Sequence, residues 1–215
     1  MTSPPSPLRF AVLVPVKRVS AAKSRLGSLG DDARRALVAA FAADTVTAAL
    51  GSELVATVVV VTDDHELATG LRVLGAQAIP DGVAEDLNGS LVQASAEVAR
   101  RWPTLGVAAL CADLPALRSD ELTTALAAAS TRASAFVADT AGSGTTMLAA
   151  VRREEFRPAF GPGSCHRHLE QGAWQVHGIH VPTLRQDVDT PADLAAVLQL
   201  GVGSRTALAA TGLRL

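Results

Sequence analysis

Three aspartates and one run of cations are the residues in this sequence best suited to chemistry. Asp113 stands in "CADLPAL", and Asp187 and Asp189 stand two residues apart in "DVDTP". In an extended segment, residues two apart face the same side, so Asp187 and Asp189 can point into one cleft. With Asp113 they would form an oxygen-only cluster, the donor set that suits Mg²⁺ held together with phosphate ligands. Asp189 ahead of "TPADL" also fits a plain helix cap, the commoner meaning of "DVDTP" on its own. The company of Asp113 and of a phosphate-type loop favours the metal reading. That loop is "VPVKRVSAAKSRL", residues 14–26, which carries Lys17, Arg18, Lys23 and Arg25 and no acid. Lys, Arg and backbone N–H groups between a strand and a helix all favour anions. A solvated basic loop without a ligand would have the same composition.

Two small-residue turns come next. "GSGTT" (142–146) and "GPGS" (161–164) can each present backbone N–H groups to an anion, and Ser164 falls at a helix start, where the dipole also favours negative charge. Either could equally be an ordinary connection. No Walker loop, G-x-G-x-x-G fingerprint or G-x-S-x-G elbow is present. His166 and His168 are two apart on an expected helix and so do not share a face. His65, His177 and His180 lie in unrelated segments, and all five histidines read as structural or surface residues. Cys165 has no base in its sequence context and is not read as a nucleophile.

The elements that must position these groups alternate. "FAVLVPV" (10–16) and "LVATVVVVT" (54–62) read as buried strands, the second as one covered on both faces. "AQAI" (76–79), "LGVAALCAD" (105–113), "ASAFVAD" (133–139) and the stretch after the 142–146 turn read as further strands. Helices are expected over 31–50 with Asp31 as cap, and over 64–73, 89–102, 119–130 and 164–171. "LRQDVDTP" reads as extended, ahead of the helix "ADLAAVLQL", and 80–89 as a loop. Strands alternating with helices imply a mainly parallel sheet, with ligands at the carboxyl ends of the strands. The basic loop and Asp113 both follow strands.

Composition bounds the partners. The chain has 215 residues, 48% apolar and 19% charged, enough for one domain with a real core. Residues 1–8 read as a disordered leader and 9–215 as a single domain. A net charge of −2 argues against a general nucleic-acid binder, and 3% aromatic residues with no Tyr leave little for base stacking. The leader lacks the pattern of a secretory signal, and no apolar run approaches the roughly 20 residues that span a bilayer. Cys111 and Cys165 fit a reduced cytoplasm better than a disulfide scaffold.

Taken in order, "VPVKRVSAAKSRL", "ADLPAL", "GSGTT", "FGPGS" and "DVDTPADL" span nearly the whole chain and resemble the CofC or FbiD guanylyltransferases. That family makes the phospho-lactyl or phosphoenolpyruvyl guanosine diphosphate used in building the deazaflavin coenzyme F-420. The resemblance implies a single-domain, Rossmann-like α/β nucleotidyltransferase. Its sheet would be mixed but mostly parallel with helices on both faces, similar to molybdenum-cofactor guanylyltransferases. The usual Gly-rich turn after the first strand of those relatives is replaced here by "PVKRVSAAKSRL".

By the same resemblance, Lys17, Lys23 and Arg25 would hold the triphosphate of GTP, and Asn88, Gly89 and Ser90 would lie near the nucleoside. Asp113, Asp187 and Asp189 would hold Mg²⁺. Thr145, Gly161 and Ser164 would present backbone N–H groups to the carboxylate of phosphoenolpyruvate. The product would pass to a downstream transferase, and a homodimer is compatible with the apolar last helices. Acceptors such as 2-phospho-L-lactate or 3-phosphoglycerate would use the same chemistry. A non-catalytic GTP-binding regulator would not need all three aspartates.

Overall fold

In the computed structural model, residues 7–16, 30–83 and 86–213 are described. The run "FAVLVP" forms β1 (Phe10–Pro15), with the long helix α1 (Asp31–Leu50) after it in sequence. The chain continues through β2 (Val55–Val61), α2 (His65–Val73), β3 (Gln77–Ile79), α3 (Leu87–Arg101), β4 (Gly106–Leu110) and α4 (Ser119–Ala129). A hairpin of β5 (Ser134–Ala138) and β6 (Thr145–Ala150) follows, then α5 (Ser164–Glu170) and β7 (Trp174–Gln175). The short α6 (Pro182–Arg185), α7 (Pro191–Leu200) and α8 (Ser204–Ala209) complete the described chain.

The strands form one seven-stranded sheet in the order β3-β2-β1-β4-β6-β5-β7. Every neighbouring pair is parallel except β4–β6 and β5–β6. Only β6 therefore runs against the rest. Its reversal follows from the short 139–144 link, which can join antiparallel strands but is too short for a parallel crossover. Gly142, at φ +74°, supplies the left-handed residue this tight turn uses.

The apolar runs are continuous because both faces of the sheet are covered. Phe10, Val12, Val14, Val58 and Val60 pack on one side against Val46 of α1 and Leu122 and Leu126 of α4. Ala11, Leu13, Val59, Val61, Val107 and Ala109 pack on the other against Leu91, Ala94 and Val98 of α3. Alternation within a strand thus separates two cores rather than core from water. A third cluster joins Leu37 and Phe41 of α1 to Val188 and to Leu194 and Val197 of α7.

Several boundaries differ from the sequence expectation. The N-cap of α1 is Gly30, not Asp31; Asp31 is the first helical residue and pairs with Arg34 at 2.9 Å. Helix α3 begins at Leu87 because Asp86 caps it, its side chain accepting from Gly89 N–H. Strand β4 stops at Leu110, so Cys111, Ala112 and Asp113 belong to the loop at its end. Helix α8 was not foreseen. It is anchored by Asp44, a buried residue of α1 that accepts from Arg205 N–H and Thr206 N–H. A Cβ at Gly203 would stand 2.2 Å from the Asp44 carboxyl carbon, so only glycine fits at that crossing. Lys17, Lys23 and Arg25, and residues 1–6 of the expected leader, lie outside the described residues. Among the described residues, no helix is long and apolar enough to cross a membrane.

Candidate active site

The carboxyl edge of the parallel strands is where the polar groups converge. Strand β1 ends there at Pro15, β4 at Leu110 and β5 at Ala138, while β6 starts there at Thr145. A cleft of about 650 Å³ opens along this edge, a size ordinary for small-molecule sites. Its lining includes Asp113, Asp139, Thr145, Gly161, Ser164 and both Asp187 and Asp189.

The three aspartates meet. One carboxylate oxygen from each of Asp113, Asp187 and Asp189 lies within 4.8 Å of the others, and each residue is half-buried. Local structure explains the meeting. Val188 N–H donates to Asp113 O at 3.1 Å, which lays the 187–189 segment against the loop after β4. Val188 is fully buried in the α1–α7 cluster, so its two neighbours turn the opposite way. Upstream, the Arg185 guanidinium donates to Ala138 O at 3.1 Å and Asp139 O at 2.8 Å, and Thr140 N–H donates to Arg185 O. Downstream, Thr190 caps α7 in a reciprocal box with Asp193, so the cap is not Asp189. Three clustered carboxylates, with no nitrogen or sulfur donor grouped with them among the described residues, fit a hard divalent cation such as Mg²⁺.

The backbone around Asp113 is set by a residue in the middle of α1. Thr45 of α1 donates its hydroxyl to Ala112 O at 3.2 Å and accepts from Leu114 N–H at 3.1 Å. It thus grips the backbone on both sides of Asp113. A threonine four residues from Phe41 carries no sequence signal for this, because the partner is 69 residues away.

The other end of the cleft is built from the two small-residue turns. Asp139 accepts from Ser143 N–H and Gly144 N–H, both at 2.9 Å, and holds the first turn closed. In the second, Gly161 and Gly163 have φ of +116° and +72°. Three side chains hold it. Arg167 donates to Ala159 O and Pro162 O. Asn88 accepts from Phe160 N–H at 2.8 Å and donates to Phe160 O at 3.2 Å. His168 accepts from Ala159 N–H at 3.0 Å through Nε2.

His168 is fully buried, with the Phe136 and Phe160 rings 5.5 and 5.4 Å away between centroids. Burial pushes its pKa down to about 4, and the charge of Arg167 adds to this. It is a structural histidine, as the sequence suggested.

Some expected site residues are placed differently. Asn88, Gly89 and Ser90 do not line the cleft; Leu87 does. Asn88 spends its amide on Phe160, and the buried Ser90 hydroxyl is bonded to Asp81 and to Asp86 O. Ser164 lines the cleft, but its N–H donates to Gly161 O, and that of Cys165 donates to Ser143 O. In this structure the turn itself uses the N–H that Ser164 was expected to offer a ligand.

The strand order and the acid cluster at the carboxyl edge describe a mixed, mostly parallel α/β fold of the kind found in nucleotidyltransferases. The chain superposes on a protein of Desulfovibrio desulfuricans G20 assigned as a nucleotide-diphospho-sugar transferase, with a TM-score of 0.70, 18% identity and 94% of each chain covered. It also matches a 4-diphosphocytidyl-2C-methyl-D-erythritol synthase, at a TM-score of 0.60 and 13% identity, over 90% of this chain and 99% of that one. Residues 10–210 match the family "Guanylyl transferase CofC like", and the chain belongs to that family. Relatives include the phosphoenolpyruvate guanylyltransferase of Streptomyces scabiei, 50% identical over 96% of this chain and 98% of that protein. The enzyme of the same name from Thermomonospora curvata is 48% identical over 96% of this chain and 90% of that protein.

Proposed function

We propose that the protein is a phosphoenolpyruvate guanylyltransferase: it joins GTP and phosphoenolpyruvate to give enolpyruvyl-diphospho-5'-guanosine and pyrophosphate, for deazaflavin coenzyme F-420 biosynthesis. The observation that carries this reading is the convergence of Asp113, Asp187 and Asp189 within 4.8 Å at the strand edge. The names of relatives at about half identity supply the two substrates.

In the reaction, an oxygen of the phosphoenolpyruvate phosphate forms a bond to the α-phosphorus of GTP. The bond from that phosphorus to the bridging oxygen breaks, and its electron pair leaves with pyrophosphate. A phosphate monoester has a second pKa of about 6, so the nucleophile is already mostly dianionic at neutral pH. No general base is required. The barrier lies in bringing two anionic groups into line, and catalysis rests on positioning and charge neutralisation.

Asp113, Asp187 and Asp189 would hold Mg²⁺. The ion would supply neutralisation of phosphate charge. Lys17, Lys23 and Arg25 bind the triphosphate and offset charge on the departing pyrophosphate. Thr145, with Gly161 and Ser164, receives the phosphorylated acid at the far end of the cleft. The test is to incubate the protein and Mg²⁺ with each of the four NTPs and a panel of phosphorylated three-carbon acids. Pyrophosphate is then assayed and the product identified by mass. GTP with phosphoenolpyruvate should give the product; pyrophosphate release independent of any acid would overturn the reading.

A further inference from the structure

We propose that His168 is a positioning residue: it fixes the Thr145 hydroxyl as a hydrogen-bond donor into the cleft and ties it to the 159–163 turn. This rests on the reading that this end of the cleft receives the anionic acceptor. The backbone N–H of Ala159 can only donate, and it donates to His168 Nε2 at 3.0 Å. Nε2 must therefore carry the lone pair. In the neutral ring the proton then sits on Nδ1, which faces Thr145 Oγ1 at 2.9 Å. Nδ1–H donates and the hydroxyl accepts, so the hydroxyl must send its own proton in another direction.

Thr145 is buried to 6% exposure but lines the cleft, as do Gly161 and Ser164. A carboxylate or phosphate oxygen of a ligand there would accept that proton. Without the imidazole, the hydroxyl could rotate and use the proton internally. The protein gains a polarised donor of fixed direction from an uncharged pair.

One imidazole also spans the two turns. Thr145 leads out of the turn closed by Asp139, whereas Ala159 opens the turn held by Arg167 and Asn88. Both anion-facing turns are therefore referenced to one buried ring, wedged between Phe136 and Phe160.

The experiment measures KM for phosphoenolpyruvate and for GTP separately in His168→Met, His168→Gln, Thr145→Val and the Met–Val double variant. Glutamine offers an acceptor and a donor at about the spacing of the imidazole nitrogens; methionine offers neither. His168→Met and Thr145→Val should each raise the KM for the acid on the order of 10- to 100-fold, with the GTP value within about twofold. The double variant should be no worse than Thr145→Val alone, since both remove the same donor. His168→Gln should recover most of the loss.

An unchanged acid KM in Thr145→Val, additive losses in the double variant, or equal rises in both KM values would overturn the proposal. If His168→Met does not fold, the Gln and Val variants still decide. Nitrogen NMR of labelled histidine in the unmodified protein gives an arm independent of substrate. A protonated Nδ1 is expected, and a protonated Nε2 would overturn the assignment even if the activity proved to be another one. Conversely, a protein that joins no acid to any NTP but shows the Nδ1 tautomer would refute the proposed reaction and leave this geometry standing.

Discussion

The two ends of the cleft use charge in opposite ways at the level of single residues. One end gathers three carboxylates within 4.8 Å, a concentration of negative charge that attracts cations. Asp113→Asn should therefore leave the fold intact by circular dichroism while lowering turnover by about 10²–10³-fold or more, as loss of one preorganised charge stabiliser does elsewhere. Wild-type rates of pyrophosphate release in that variant would remove Asp113 from the site. The other end relies on a histidine kept neutral. Its pKa in the folded protein is about 4, against 6.5 for the unfolded chain. Between those values the unfolded chain binds a proton that the native one does not, so stability falls as pH drops through that window and is fully present above it. Thermal melts from pH 7 to 5 should show a steeper loss in the wild type than in His168→Gln. Parallel curves would mean that His168 does not carry the effect.

The elements show why part of this was legible and part was not. The spacing of Asp187 and Asp189 was informative because an extended segment alternates, and burial of Val188 then fixes which way the pair faces. The uninterrupted valines of β2 announced a strand covered on both sides. By contrast, the threonine in the middle of α1 and the histidine on α5 look like ordinary helix residues. Their partners lie 69 and 23 residues away, beyond any local pattern. The start of α3 was misjudged because Asp86 caps it within what reads as a loop, and so Asn88 is bonded to Phe160 instead of lining the cleft. Thr45→Val tests how α1 serves the site. It would strand the buried Leu114 N–H, at a cost of about 1–3 kcal/mol, and remove a bond to the partly buried Ala112 carbonyl. The melting temperature should drop by several degrees, with turnover lower on the order of 10-fold as Asp113 shifts. Thr45→Ser should restore both, and a Val variant with lowered stability but full activity would show that α1 supports the fold alone.

Across the whole molecule, the reversed strand β6 reconciles the fold with the reaction. In an all-parallel sheet the edge beyond β4 would bring only strand ends to the cleft. With β6 reversed, the start of a strand and its preceding turn face the same edge as Asp113, so metal-type and anion-type groups share one opening. The arrangement suits a reaction in which an oxygen of the phosphoenolpyruvate phosphate, rather than an oxygen of GTP, makes the new bond to phosphorus. Phosphoenolpyruvate labelled with heavy oxygen in its phosphate tests that claim most directly, when incubated with GTP and Mg²⁺ and followed by phosphorus NMR and mass spectrometry. The account predicts that all of the label remains in the guanosine-containing product, including its bridging position, and that the pyrophosphate is unlabelled. Label in pyrophosphate, or consumption of GTP without a product that contains the acid, would contradict it.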